Sequence, residues 1–180
     1  SRCWKNESRN WKGSMKTKNE LTHARLKELF TYDPETGVFT RIVQRGQRFM
    51  PGDTAGYVGI RGYSRITIDG RVLPVHRLAW LYFYGAWPSG EVDHIDGNRL
   101  NNCIKNLRDV SRSVNQQNQR LARRDNKSAG LLGVTRRGKG FQAQIRIDGK
   151  RVYLGMHPTA EMAHNAYLAA KRELHQGCTI

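Results

Sequence analysis

Cysteine is scarce in this 180-residue chain. Cys3, Cys103 and Cys178 are odd in number, far apart, and form no C-x-x-C pair. A structural zinc site and a disulfide framework are therefore not expected, and a reducing compartment fits. No apolar run approaches the roughly 20 residues of a membrane helix. Residues 1–20 also lack the apolar centre of a secretory signal, so a cytoplasmic protein with no membrane partner is expected.

Acidic residues are the other shortage. Fifteen Asp and Glu stand against 31 Lys and Arg, a net charge of +16. An excess of this size points to a polyanionic partner, nucleic acid before any other. Residues 111–151 concentrate it, with eleven Lys or Arg against only Asp125 and Asp148. A run of cations that dense would neutralise a row of phosphates and make binding strongly salt-dependent.

What the chain does have is a punctuated series of short elements, read as α+β. Residues 1–21 form a basic arm with Trp4 and Trp11 as its large anchors, expected to be flexible. Thr22 caps a helix through about Phe30, and Tyr32–Gly37 is a turn leading into a strand at Val38–Val43. Strands at Tyr63–Ile68 and Arg71–Val75 flank Asp69-Gly70, with Pro74 confining the second to an edge or its end. Arg77–Tyr84 is a helix ending near Gly85. Glu91–His94 and Leu107–Val110 form a hairpin around a long Asn-rich loop, and Ser111 caps a helix to about Leu121. After a linker at 125–130 come strands at Gly133–Arg137, Phe141–Ile147 and Arg151–Leu154. Thr159 then caps a helix to about Gln176, with Met162, Ala163, Ala166, Tyr167, Ala170 and Leu174 on its apolar stripe. Two modules, 22–124 and 131–177, are expected.

The chemistry concentrates at Val92-Asp93-His94-Ile95-Asp96-Gly97-Asn98, followed by Asn106-Leu107-Arg108 and Asn115. Neighbouring side chains on a strand leave on opposite faces, so Asp93 and His94 cannot both point one way. One can hold a metal while the other handles a proton, the division that metal-assisted phosphodiester hydrolysis requires. Asp93 and Asn115 offer hard oxygens suited to Mg²⁺ or Mn²⁺. His94, neutral at physiological pH, can take the proton of an attacking water. Asn106 can fix the hairpin or the imidazole. Asp96 and Asn98 read as loop residues bonding their own backbone. His76 reads as structural rather than phosphate-contacting, and His23, His157, His164 and His175 carry no partner pattern.

These residues resemble the HNH nucleases, specifically the small homing-endonuclease branch of phages and bacteria. The resemblance runs through Val75-His76-Arg77-Leu78-Ala79-Trp80, Gly85-Ala86-Trp87-Pro88, the Asp93-His94 segment, Asn101-Asn102, Asn106-Leu107-Arg108 and Asn115–Asn118. It implies a ββα-metal module with Asp93 as metal ligand, His94 as general base and Asn106 as the central asparagine. Asn115 replaces the last histidine, an H-N-N pattern that makes magnesium more plausible than zinc. The implied reaction leaves a 5′-phosphate and a 3′-hydroxyl on DNA, in a bacterial host cell if the gene is a phage one.

In the second module Gln142, Gln144 and Arg146 share the strand face opposite Phe141, Ala143, Ile145 and Ile147. With Arg137, Arg151 and Tyr153 they make a face able to read base edges in a major groove. Gly133-Val134, Ala143-Gln144-Ile145-Arg146, Leu154-Gly155 and Thr159-Ala160-Glu161-Met162-Ala163 resemble an AP2-type DNA-binding domain, a three-stranded antiparallel sheet on one helix. Together the two resemblances imply a site-specific endonuclease of double-stranded DNA, nicking or cutting both strands, with no small-molecule cofactor; no dimer surface is evident, so a monomer is expected. The rival reading is a non-catalytic DNA-binding regulator on a nuclease-like scaffold; an RNA-binding protein is weaker, because no aromatic stacking platform is evident.

Overall fold

The computed structural model describes residues 20–119, 122, 126, 129–175 and 177–179. Most of the expected arm and half of the linker lie outside them, and the helices expected to reach Leu121 and Gln176 end at Gln117 and Leu174 instead. Among the described residues no helix is long and apolar enough to cross a membrane.

The first module opens with α1 (His23–Leu29), whose first turn is closed by the Thr22 hydroxyl accepting from the Arg25 amide at 3.2 Å. The expected helix stops one residue early. Phe30 instead opens β1 (Phe30–Asp33), which pairs antiparallel with β2 (Val38–Arg41). The strand is hidden in the sequence because Phe30 continues the helical stripe and Tyr32-Asp33 looks like turn. Pairing with Val38–Arg41 overrides that local preference. Two short strands follow, β3 (Thr54–Ala55) against β2 and β4 (Tyr57–Val58) against β5 (Ser64–Ile68).

β5 returns as β6 (Arg71–Pro74) through Asp69 and Gly70, both at positive φ (47° and 78°). Two such residues make the mirror-image turn whose twist matches the strands. β6 is an edge strand ending in Pro74, as a residue lacking an amide donor requires. It runs straight into α2 (Val75–Tyr84), closed by Gly85 in the left-handed conformation. Then β7 (Glu91–His94) and β8 (Leu107–Val110) pair antiparallel, and α3 (Arg112–Gln117) starts under its Ser111 cap. One core joins these pieces. Leu26, Phe30, Phe39, Ile66, Ile68, Leu78 and Leu81 are all nearly sealed from solvent, with Val92 and Leu107 carrying the core to the β7–β8 hairpin.

The second module is a sheet in the order β11 (Lys150–His157), β10 (Gly140–Ile147), β9 (Val134–Arg137), packed on α4 (Ala160–Leu174). Its core is small: Val134, Ala143 and Ala163, flanked by Phe141, Leu154 and Ala166. Asp148 and Gly149 repeat the positive-φ turn of the first module. β11 runs three residues beyond the expected Leu154, with an irregularity opposite Gln142–Gln144. The expected apolar stripe of α4 is too wide. Met162 and Leu174 are about half exposed, whereas Lys171 is sealed, its ammonium donating to the Gln119 carbonyl at 2.6 Å. That bond, and others at residues 177–179, tie the second module to the first.

Candidate active site

β7 carries the site. Its side chains alternate, so Glu91 and Asp93 leave one face while Val92 and His94 leave the other. On the first face, α3 lies along the strand. Asn115 donates through Nδ2 to Glu91 Oε2 at 2.6 Å, and Asn118, one turn later, donates to Asp93 Oδ2 at 2.9 Å. The same Asp93 oxygen accepts from Arg108 Nε and Nη2 at 3.1 and 2.8 Å across the β7–β8 pair. Sequence reasoning places Asn115 beside Asp93; in this structure Asn115 faces Glu91, and Asn118 is the amide on Asp93. Side chains three apart on a helix share a face, a signal by which Asn118 is detectable. Glu91 is detectable likewise, two residues before Asp93 on the strand.

The donors on this face are two carboxylates and two amides, hard oxygens of the kind magnesium and manganese take. Bonding Glu91 through Nδ2 leaves Asn115 Oδ1 uncommitted among the described residues. Also among the described residues, no three His, Cys, Asp or Glu side chains come together, so an ion here would depend on the amides. With the Asn118 oxygen bonded by Thr179, the Glu91 and Asp93 carboxylates and Asn115 Oδ1 are the oxygens that fit such an ion.

Asn118 Nδ2 also donates to the His94 carbonyl at 3.1 Å, and further partners of Arg108 and Asn118 come from residues 177–179. Arg108 Nη2 also donates to the Gly177 carbonyl at 2.9 Å, the Gly177 amide donates to Gln117 Oε1 at 3.0 Å, and the Thr179 hydroxyl bonds Asn118 Oδ1. A side chain at 177 would put its Cβ 2.3 Å from the Val114 carbonyl, so only glycine allows this approach. Residues 177–179 are therefore seated against this face of β7 and α3.

On the other face, His94 is 4% exposed and packs among Tyr63 and His76, with the two imidazole centroids 5.1 Å apart. Burial pulls the His94 imidazole below its ordinary value, opposed by a bond to Asn102 and by the Asp93 and Asp96 charges. His76 is pulled further, to about 4, by burial and by the neighbouring His94 and Arg77. Both rings are thus neutral near pH 7. His94 Nε2 lies 3.3 Å from Asn102 Oδ1.

Asn106 does not touch the imidazole. It donates to Asp96 Oδ1 at 2.9 Å and to the Asn101 carbonyl at 2.8 Å, and accepts from the Asp96 amide at 3.0 Å. Of its two expected roles it holds the loop; Asn102, which the resemblance includes without giving it a role, meets the ring. Asp96 and Asn98 bond the backbone two residues ahead, as expected of loop residues.

The expected reading face of the second module is assembled by register. Arg146 stands opposite Arg151, Gln144 opposite Tyr153 and Gln142 opposite Thr135, with Arg137 two residues beyond Thr135 on the same face. Two guanidinium groups in direct cross-strand opposition repel each other, which suits a surface made for an anion better than one made for stability. Tyr153 is 59% exposed. Gln144, Arg146 and Arg151 also line a cleft of about 850 Å³, as do Arg112 and Gln116 of α3.

A strand hairpin followed by a helix, with an Asp-His pair on its first strand, is an arrangement suited to phosphodiester hydrolysis. Residues 73–117 match the HNH endonuclease family. The chain is also similar to DNA endonuclease I-HmuI of Bacillus phage SP01, at 41% identity over 80 residues. That alignment spans 42% of each protein, so the chain covers about two fifths of this relative's length. No solved structure matches the chain.

Proposed function

We propose that this protein is a site-specific, metal-dependent endonuclease of the homing type that hydrolyses phosphodiester bonds in double-stranded DNA. The observation that carries this reading is the division at β7: His94 on one face and the Asp93 oxygens on the other, within the residues matching the HNH family. In this reading β7, β8 and α3 are a ββα-metal unit. Asp93 and Asn115 hold one divalent ion, Mg²⁺ or Mn²⁺, with Glu91 and Asn118 adjoining. When bound, the ion supplies positive charge for the phosphate and the leaving oxygen.

The chain's own groups do the rest. His94, neutral at physiological pH, accepts a proton from the attacking water as its oxygen bonds to phosphorus. The phosphorus–O3′ bond breaks and O3′ takes a proton from solvent water, leaving a 5′-phosphate and a 3′-hydroxyl. Asn106 keeps the Asp96–Asn101 loop closed, so that the strand bearing the base is held.

The sheet of the second module is an AP2-like anchor on duplex DNA, using Arg137, Gln142, Gln144, Arg146, Arg151 and Tyr153. Replacing Arg146 and Arg151 together by alanine is expected to weaken DNA binding. The slope of log affinity against log salt should shrink by about 2, near 0.9 for each phosphate no longer neutralised. A filter-binding salt titration measures both, and an unchanged slope would remove these residues from the interface.

The reaction itself is tested with supercoiled plasmid and magnesium. Nicked or linear product that disappears with a chelator supports the proposal. Tight DNA binding with no cleavage under any divalent ion would favour the non-catalytic regulator.

A further inference from the structure

Asn102 lies in the loop between β7 and β8 and is 3% exposed. Its amide has no freedom to turn over. Nδ2 donates to the Leu100 carbonyl at 3.0 Å, and a carbonyl can only accept, so Oδ1 must be the atom that faces His94. A neutral imidazole has one N–H. With an acceptor 3.3 Å from Nε2, that proton belongs on Nε2, and Nδ1 keeps its lone pair. Among the described residues Nδ1 has no hydrogen-bond partner, nor is it one of the sealed polar atoms left unsatisfied.

The backbone of Asn102 is clamped as well, by the β1–β2 hairpin outside the residues matched to the family. The Tyr32 hydroxyl, on β1, donates to the Asn102 carbonyl at 2.7 Å. The Pro34 carbonyl accepts from the Ile104 amide at 3.0 Å, and Lys105 pairs with Glu35 at 2.8 Å. Gly37, at φ +75°, lies so close that a Cβ there would stand 2.4 Å from the Asn102 carbonyl carbon and the Cys103 nitrogen. The turn at residues 33–37 is thus pressed against the peptide that carries the amide.

We propose that Asn102, clamped on the β1–β2 turn, is the positioning residue that holds His94 in its Nε2–H tautomer and leaves Nδ1 to take the proton from water. The inference rests on His94 being the base, as proposed above. The water O–H bond breaks, the new oxygen–phosphorus bond forms, the proton passes to Nδ1, and the O3′ leaving group departs. An imidazole free to shift its proton to Nδ1 would present the wrong nitrogen to water, and orienting partners of this kind are worth about 10- to 100-fold in activity.

The test uses the full chain labelled with ¹⁵N-histidine, without divalent ions, at a pH where the ring is neutral. Long-range proton–nitrogen correlation reads the tautomer directly. The parent should show Nε2–H at His94. Asn102→Leu, close in size but without the acceptor, should show a mixed or reversed tautomer and cleave plasmid about 10- to 100-fold more slowly. DNA affinity should be unchanged. Asn102→Asp, held neutral by burial, donates to the Leu100 carbonyl through one oxygen and accepts from Nε2–H through the other, and should restore the tautomer and most of the rate.

A parent ring carrying its proton on Nδ1 would overturn the proposal, as would Asn102→Leu keeping both tautomer and rate. Should the leucine variant not fold, the parent tautomer and the aspartate variant still decide: Nδ1–H in either sinks the idea. Failure of the broader reading looks different, namely Nε2–H intact at His94 while His94→Ala still cuts at the parental rate.

Discussion

Replacing His94 by alanine is expected to slow plasmid cleavage by about 10²- to 10⁴-fold, the range for removing a positioned general base. DNA affinity should stay within twofold of the parent. The reason is geometric: His94 is nearly sealed beneath Tyr63 and His76, while the proposed DNA-reading residues stand on a separate sheet. Gel quantification of supercoiled plasmid loss, paired with a binding titration, separates the two effects. Parental cleavage in the alanine variant would end the assignment of His94 as base. A variant that neither binds nor cuts would point to a structural role for the ring.

The second large effect is at Asp93. Asp93→Ala should remove detectable cleavage and also the thermal stabilisation that magnesium gives. An ion at 100 times its dissociation constant raises stability by about 2.7 kcal/mol when it binds only the folded chain. The parent should therefore melt higher as magnesium is added, and the variant should not. The substitution has a cost of its own without metal. Arg108, with 23% of its side chain exposed, loses its carboxylate and keeps only the Gly177 carbonyl, a change that should cost about 3 kcal/mol. Equal magnesium-induced shifts in parent and Asp93→Ala would place the ion elsewhere.

The local elements are largely legible in the sequence. Asp69-Gly70 and Asp148-Gly149 permit only a narrow set of turns, Thr22, Ser111 and Thr159 each supply the hydroxyl a helix start needs, and Gly85 ends α2. The β7–β8 hairpin is legible to its bounds, because apolar Val92 and Leu107 alternate with polar neighbours on both sides of an Asn-rich loop. β1 is not, since Phe30 also continues the helical stripe of α1 and Tyr32-Asp33 also reads as turn, so a four-residue alternation decides nothing until it pairs with β2. Nor is the burial of Lys171, a cation whose position follows from the Gln119 carbonyl meeting it from the other module.

At the site the same boundary appears. That Asp93 and His94 serve opposite faces follows from strand alternation alone, a short-range property written into adjacent residues. Which amide meets which carboxylate does not. Asn115 and Asn118 are one helical turn apart, and the docking angle of α3 on β7 gives Glu91 to the first and Asp93 to the second. Likewise, eight residues separate His94 from Asn102 and 70 separate Asn102 from Tyr32. Contacts across such distances depend on how preformed pieces pack, so the sequence by itself determined the pieces and their chemistry. The tertiary structure decided their partners, because a hydrogen bond requires atoms within about 3 Å and chain order does not specify that proximity.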